Sequence, residues 1–112
     1  MKISQKEKNG VVILELSGKI MGGPDATTLN DKLHGLVDSG RTHVVADLSK
    51  VNWMNSSGLG ILISALTTIR NAGGDLKLSA ITDRIQSLLM ITKLLTVFDT
   101  YQTTDEAIAS FK

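Results

Sequence analysis

The chain has 112 residues, of which 42% are hydrophobic and 21% are charged, and its formal net charge is +1. This balance is typical of one globular domain and excludes a largely disordered chain. The 12 basic residues are scattered along the sequence, so we expect no nucleic-acid binding. Because cysteine is absent, disulfides and thiolate metal sites are excluded.

The N-terminal residues and the apolar runs bear on the cellular location of the protein. Residues 1–7 do not contain the apolar core of a signal sequence. The longest apolar runs are far shorter than the ~20 residues that span a membrane as a helix. We therefore expect a cytoplasmic protein with no direct membrane insertion.

The first elements in chain order are two strands. A strand-like run at 3–8 is followed by a β-branched, apolar run at 11–16, and Asn9 and Gly10 lie between them. Asn-Gly between two such runs predicts a hairpin, because both residues tolerate positive φ. Residues 17–24 contain three glycines and a proline and predict a loop, with a short extended piece at 19–21 as an open alternative.

Two helices flank the next predicted strand. Asp25 or a neighbour is the expected cap of a helix that runs to about residue 39, where Gly40 ends it. The mainly apolar run at 43–48 predicts a strand covered by helices. A second helix is predicted at 59–72, before two glycines. Its expected inward stripe has helical spacing and consists of Leu59, Leu62, Ile63, Leu66 and Ile69.

The last third of the chain continues the alternation of strands and helices. We predict a strand at 76–80, a helix at 83–92, a short strand at 96–98 and a final helix capped by Thr103 or Thr104. Strands that alternate with helices after an initial hairpin predict an α/β fold. Its mixed sheet is expected to be parallel in its later part and to carry about four α-helices.

Common catalytic and cofactor motifs are missing from the sequence. No glycine-rich stretch ends in Gly-Lys-Ser or Gly-Lys-Thr, and Gly-x-Ser-x-Gly is not matched around Ser56. His34 and His43 lack metal-ligand spacing, so we expect structural or solvent-facing roles for them. We therefore predict that the protein is not an enzyme and that it binds neither a cofactor nor a metal ion. For Trp53, we favour packing at the sheet edge over a partly exposed position.

A turn rich in serine and glycine follows the 43–48 region, and its residues are Asn55, Ser56, Ser57, Gly58, Leu59 and Gly60. Local physics favours a plain helix cap, since a side-chain oxygen of Asn55, Ser56 or Ser57 can accept a free amide hydrogen of the first helical turn. The turn also lies at the carboxyl end of a predicted parallel strand, where sites tend to form. A helix N-terminus tolerates an anion, so phosphate on Ser56 would preserve the fold while blocking a partner.

The stretch from Asp47 to Gly60 resembles the signature of the STAS domain family, in particular the free-standing bacterial anti-sigma factor antagonists. The resemblance rests on Asp-Leu-Ser at 47–49 and on Ser-Ser-Gly-Leu-Gly at 56–60. Weaker matches at 16–20, 73–78 and 103–107 extend it over nearly the whole chain. It implies a single STAS domain over residues 1–112, with a STAS-like mixed sheet.

The function implied by this resemblance is regulatory binding rather than catalysis. Such proteins bind an anti-sigma factor that is also a serine kinase, and so free a sigma factor for transcription. The kinase phosphorylates the first serine, here Ser56, and a serine phosphatase restores binding. Ser57 is implied to be the helix cap, and the protein to be a monomer. The implied partner-binding residues are Gly22, Gly23, Pro24, Asn55, Ser56, Ser57, Gly58, Leu59 and Gly60.

One position departs from the family pattern, and one alternative function stays open. Family members usually have Asp before the phosphorylated serine, whereas this chain has Asn55. Asn retains the capping ability but lacks the charge, which either favours the phosphorylated form or weakens recognition by the kinase. The alternative function is a STAS-like soluble accessory subunit of a membrane transport complex, which need not be phosphorylated.

Overall fold

A computed structural model describes residues 1–93 and 96–111 of the chain, which form five strands and four helices. The strands are β1 (Lys2–Lys8), β2 (Val11–Ile20), β3 (His43–Met54), β4 (Asp75–Ser79) and β5 (Thr100–Tyr101). The helices are α1 (Pro24–Asp38), α2 (Ser56–Asn71), α3 (Asp83–Ile91) and α4 (Thr104–Ala109).

The strands form one mixed sheet in the order β1-β2-β3-β4-β5. β1 and β2 are antiparallel, and Asn9 and Gly10 between them have φ of 56° and 79°. β2, β3, β4 and β5 run parallel to one another. The predicted α/β class and mixed sheet are therefore confirmed. The carboxyl ends of the parallel strands share one edge of the sheet, and the serine-glycine turn lies at this edge.

The two faces of the sheet carry different layers. On β2, Val12 and Leu14 belong to the main core, which buries the apolar faces of α1, α2 and α3. Val11 and Ile13 point the other way, into a smaller cluster with residues of α4. This division follows from the period of two along a strand, because neighbouring side chains lie on opposite faces.

Polar contacts occupy the rest of the second face. Thr104 at the start of α4 lies 2.9 Å from the Ser79 hydroxyl and donates to Asp47 at 3.4 Å, which ties α4 to β4 and β3. Glu15 pairs with the exposed Lys6 at 2.7 Å. The hydrogen bond to Glu15 and its negative charge raise the pKa of Lys6, because both stabilise the ammonium form.

The predicted loop at 17–24 was wrong in its first half, where the alternative of an extended piece at 19–21 is correct for Lys19 and Ile20. The strand predicted at 43–48 was too short. β2 continues through Ser17 and Gly18 to Ile20, and β3 continues to Met54. The two extensions pair in parallel, with two register irregularities at which β3 has one residue more than β2. Gly18 has a φ of 85°, which a glycine adopts at little cost and which fits this irregular strand. Each extension depends on hydrogen bonds to the other, which local composition does not reveal.

Further details differ from the sequence predictions, including the start of α2 at Ser56 rather than at residue 59. No strand forms at 96–98; these residues form a turn and a bend, and the fifth strand is Thr100–Tyr101, paired with β4. Gly23 rather than Asp25 is the N-cap of α1, with Pro24 at the first helical position. In α2, Ile63 is only partly buried, whereas Ile61 and Ala65 are buried with the remaining predicted stripe. Of the two predicted caps of α4, Thr103 and Thr104, the structure shows Thr103 as the N-cap.

Candidate functional site

The serine-glycine turn, residues 55–60, joins the end of β3 to the start of α2. β3 lies between β2 and β4, both parallel to it, so the turn emerges from the middle of the sheet. Sites in open α/β sheets form in this position because the loops that follow parallel strands gather at one edge. The predicted placement of the turn at a strand carboxyl end and a helix N-terminus is confirmed.

Asn55 is the N-cap of α2. Its backbone is extended, with φ −105° and ψ −178°, and its side-chain Oδ1 accepts a hydrogen bond of 2.8 Å from the Gly58 amide. Its Nδ2 also donates to the Met21 carbonyl at 3.5 Å. The implied role of Ser57 as the cap is therefore wrong. Ser57 is already inside the helix, whereas a cap must precede the first helical residue.

Ser56 and Ser57 occupy the first two positions of α2, and both are exposed. Because Asn55 provides the cap, neither serine hydroxyl is used for that purpose. Neither hydroxyl makes a hydrogen bond to the residues that the structure describes. The first turn of α2 contains no acidic residue, so the partial positive charge of the helix N-terminus is not offset there.

The loop at Gly22-Gly23-Pro24 lies directly beside the turn. Gly22 has a φ of 96°, and a Cβ added there would lie 3.1 Å from the Ser57 Cβ. The hydrogen bond from Asn55 to the Met21 carbonyl joins the same two segments. The structure thus brings together the two regions that the sequence resemblance implied. Their role in partner binding stays a prediction.

The six turn residues divide into an outer and an inner set. Asn55 is half-buried and Ser56, Ser57 and Gly60 are exposed, whereas Gly58 is buried and Leu59 is only 2% exposed. A Cβ at Gly58 would lie 1.9 Å from the Ile20 carbonyl oxygen, so only glycine lets α2 approach the end of β2 this closely. Gly58 and Leu59 therefore hold the turn in place, and the other residues form its accessible surface.

Comparison with known proteins gives the family of this chain. The STAS domain model matches residues 2–107. The chain belongs to the STAS domain family. A Bordetella bronchiseptica protein with the provisional name of anti-sigma factor antagonist BtrV is 27% identical over 112 residues, covering 100% of this chain and 96% of the relative. The Bacillus subtilis anti-sigma-B factor antagonist is 27% identical over 99 residues, covering 88% and 89%.

A solved structure shows the same architecture. The crystal structure of an anti-sigma factor antagonist from Mycobacterium paratuberculosis superposes with a TM-score of 0.82 at 25% identity. The match covers 97% of this chain and 92% of that one. The resemblance stated from the signature at 47–60 is therefore confirmed at the level of the family and the fold.

The STAS domain also carries a surface groove that the sequence did not reveal. The groove lies beside the turn and is lined by Lys19, Met21, Asn52, Trp53 and Arg84; we refer to it as the Trp53 groove. Trp53 is 39% exposed, so the partly exposed position is correct and the favoured packing is wrong. A tryptophan near the end of a long strand was the available signal, but the length of β3 was not predicted.

Both histidines lie at the surface of the STAS domain. His34 is exposed, and the exposed His43 stacks on Phe111 with ring centroids 4.8 Å apart. Across residues 1–93 and 96–111, no group of three metal-ligating side chains is placed to hold an ion. In the same part of the chain, no helix combines the length and hydropathy needed to cross a membrane.

Proposed function

We propose that this STAS domain protein is an anti-sigma factor antagonist controlled by phosphorylation of Ser56. It binds an anti-sigma factor that is also a serine kinase, and this frees a sigma factor for transcription. The kinase transfers a phosphoryl group from ATP to the Ser56 hydroxyl, which ends the complex. A serine phosphatase hydrolyses the phosphate and restores binding. The names of the two curated relatives support the proposed role as an anti-sigma factor antagonist.

The proposal rests on one observation: Asn55 caps α2, which leaves the Ser56 hydroxyl exposed and without a structural role. Asn55 satisfies the Gly58 amide at 2.8 Å, so the start of α2 does not depend on the serine. Ser56 is exposed at the first helical position. A kinase can therefore reach its hydroxyl, and modification removes no hydrogen bond that the fold requires. These are the properties needed of a residue that switches binding without unfolding the protein.

Electrostatics favour a phosphate on Ser56 in the free protein but not in the complex. A phosphoserine carries about −1.5 to −2 charges, and the N-terminus of the 16-residue helix α2 offers a partial positive charge. In the free protein, water and the helix terminus stabilise this anion. A partner that covers the turn would have to bury the added bulk and charge, which is costly without a cationic partner.

The proposal is tested by incubating the protein with ATP and the candidate anti-sigma factor kinase, followed by peptide mass spectrometry and a pull-down. We expect phosphate on the peptide that contains Ser56 and loss of the complex. The Ser56→Ala protein is the control, which should remain bound and unmodified. A stable complex with no phosphate on either serine would refute the switch. It would favour a binding module such as the transport-complex subunit.

The neutral Asn55 is expected to be compatible with phosphorylation. Since Asn and Asp are nearly isosteric, Asn55→Asp should keep the cap on the Gly58 amide while it adds a charge beside Ser56 and removes the Nδ2 donor to the Met21 carbonyl. We predict that the kinase specific for this protein phosphorylates the wild type at least as fast as Asn55→Asp. Initial rates measured under equal conditions test this. Phosphorylation of the Asp variant alone would show that the kinase requires the carboxylate.

A further inference from the structure

The Trp53 groove combines two exposed apolar side chains with two cations. Met21 is 49% exposed and Trp53 is 39% exposed. Lys19 is opposite Trp53 in the parallel register of β2 and β3, and Arg84 lies in the first turn of α3. The groove thus draws on β2, β3 and α3, and Met21 is contributed by the position directly after β2.

Among the residues that the structure describes, Arg84 contacts the indole of Trp53 and no carboxylate. Its guanidinium carbon lies 4.7 Å from the centroid of the Trp53 ring, in the geometry of a cation–π contact. The other arginines contact acids: Arg41 pairs with Glu7 and Arg70 with Asp75. In the described part of the chain, neither Lys19 nor Arg84 forms an ion pair.

The groove is continuous with the serine-glycine turn. Met21, in its wall, accepts the hydrogen bond from the Asn55 side chain through its carbonyl oxygen. Trp53 precedes Asn55 by two residues along β3 and the turn. A protein that covers Ser56 and the loop at Gly22-Gly23-Pro24 would therefore lie next to the groove.

We infer that the Trp53 groove binds an acidic segment of the anti-sigma factor, an inference that rests on the proposed function. A glutamate or aspartate of that segment lies between Lys19 and Arg84, and a neighbouring apolar side chain covers Met21 and Trp53. Charge complementarity assigns this occupant, because the groove offers two cations that are free of acids in the described structure. Tryptophan and arginine are also the residue types that most often dominate binding energy at interfaces.

The occupant is a peptide carboxylate rather than a nucleic acid. A phosphate backbone carries a charge at each nucleotide and is bound by rows of cations, whereas this groove provides two. The chain as a whole has a net charge of +1 and does not attract a polyanion over a wide surface. A single carboxylate can lie between the two cations, and a neighbouring apolar side chain can cover the exposed Met21 and Trp53.

Charge reversal in the groove tests the inference. The Kd for the purified anti-sigma factor is measured by calorimetry for wild type, Lys19→Glu, Arg84→Glu and Ser56→Glu. Lys93→Glu is the matched control, because it makes the same charge change at an exposed position beyond the other end of α3. We expect each groove variant to weaken binding by about tenfold, as for an interfacial charge pair, and the control to bind like wild type. Thermal unfolding confirms that the variants are folded.

Trp53 provides a second measurement, because it is the one tryptophan of the chain. With 5-fluorotryptophan incorporated, the protein gives one fluorine resonance in the presence of an unlabelled partner. This resonance should shift when the partner covers the groove. An unchanged resonance in a saturated complex would overturn the inference.

The outcomes separate this inference from the proposed function. If wild type binds and the groove variants bind equally well, the inference is wrong while the proposed function stands. If the groove variants lose affinity but Ser56→Glu does not, the groove is supported and the charge-sensitive turn on which the phosphorylation switch depends is contradicted. If wild type does not bind the anti-sigma factor at all, both are overturned.

Discussion

Replacing Ser56 with glutamate is expected to weaken binding to the anti-sigma factor by about tenfold to a hundredfold, whereas Ser56→Ala should bind like wild type. The glutamate places a charge on the accessible surface of the turn, and a partner that covers it must desolvate that charge. One carboxylate carries less charge than a phosphate, so the true phosphoprotein should bind more weakly still. Titration calorimetry at fixed salt concentration measures all three affinities.

The fold provides the controls for this experiment. Because Asn55 caps α2, we expect Ser56→Ala to change the free energy of unfolding by no more than about 0.5 kcal/mol. Asn55→Ala should cost about 1 kcal/mol, because the Gly58 amide loses its acceptor. Equal affinities for the alanine and glutamate variants of Ser56 would show that the turn is not a charge-sensitive surface.

Replacing Gly58 with alanine is expected to lower the free energy of unfolding by about 2–3 kcal/mol, since it overpacks a close contact. The added Cβ would lie 1.9 Å from the Ile20 carbonyl oxygen and 2.7 Å from its carbonyl carbon. Both are backbone atoms of β2 and cannot rotate away. α2 must therefore move from the sheet, which also displaces Ser56 relative to the Gly22 loop.

Gly60→Ala is the matched control, in the same helix and with the same chemical change. A Cβ at Gly60 meets nothing within 4 Å. The alanine should therefore stabilise the protein by about 0.5–1 kcal/mol through its greater helix propensity. Urea unfolding of both variants measures whether the free energy of unfolding falls for Gly58→Ala and rises for Gly60→Ala. Similar unfolding midpoints would contradict the close approach of α2 to Ile20.

Parts of the fold and of the candidate site could be predicted because their signals are local. The hairpin at Asn9-Gly10 follows from two residues that adopt positive φ. The capping alternatives at 55–57 included Asn55, because short polar side chains reach the amides of a first helical turn. The choice among them needed the backbone: Asn55 is extended, whereas Ser56 and Ser57 are helical.

Other parts of the site could not be predicted because they depend on residues far apart in sequence. Ser17 and Gly18 are residue types common in turns, yet they extend β2 because β3 lies alongside and pairs with them. Trp53 and Arg84 are separated by a helix and a strand and meet only when α3 is in place. No spacing rule connects such positions.

The sequence alone therefore determined the order of most elements, the mixed sheet and the family, since periodicity, turn residues and a contiguous signature are local properties. The tertiary structure decided the lengths of β2 and β3, the position of β5, the cap of α2 and the Trp53 groove. Each of these depends on which backbone or side chain occupies the neighbouring space. For the strands and the groove, the neighbouring residues come from a distant part of the chain. For the cap of α2, the backbone conformation decides which of three adjacent polar residues precedes the helix.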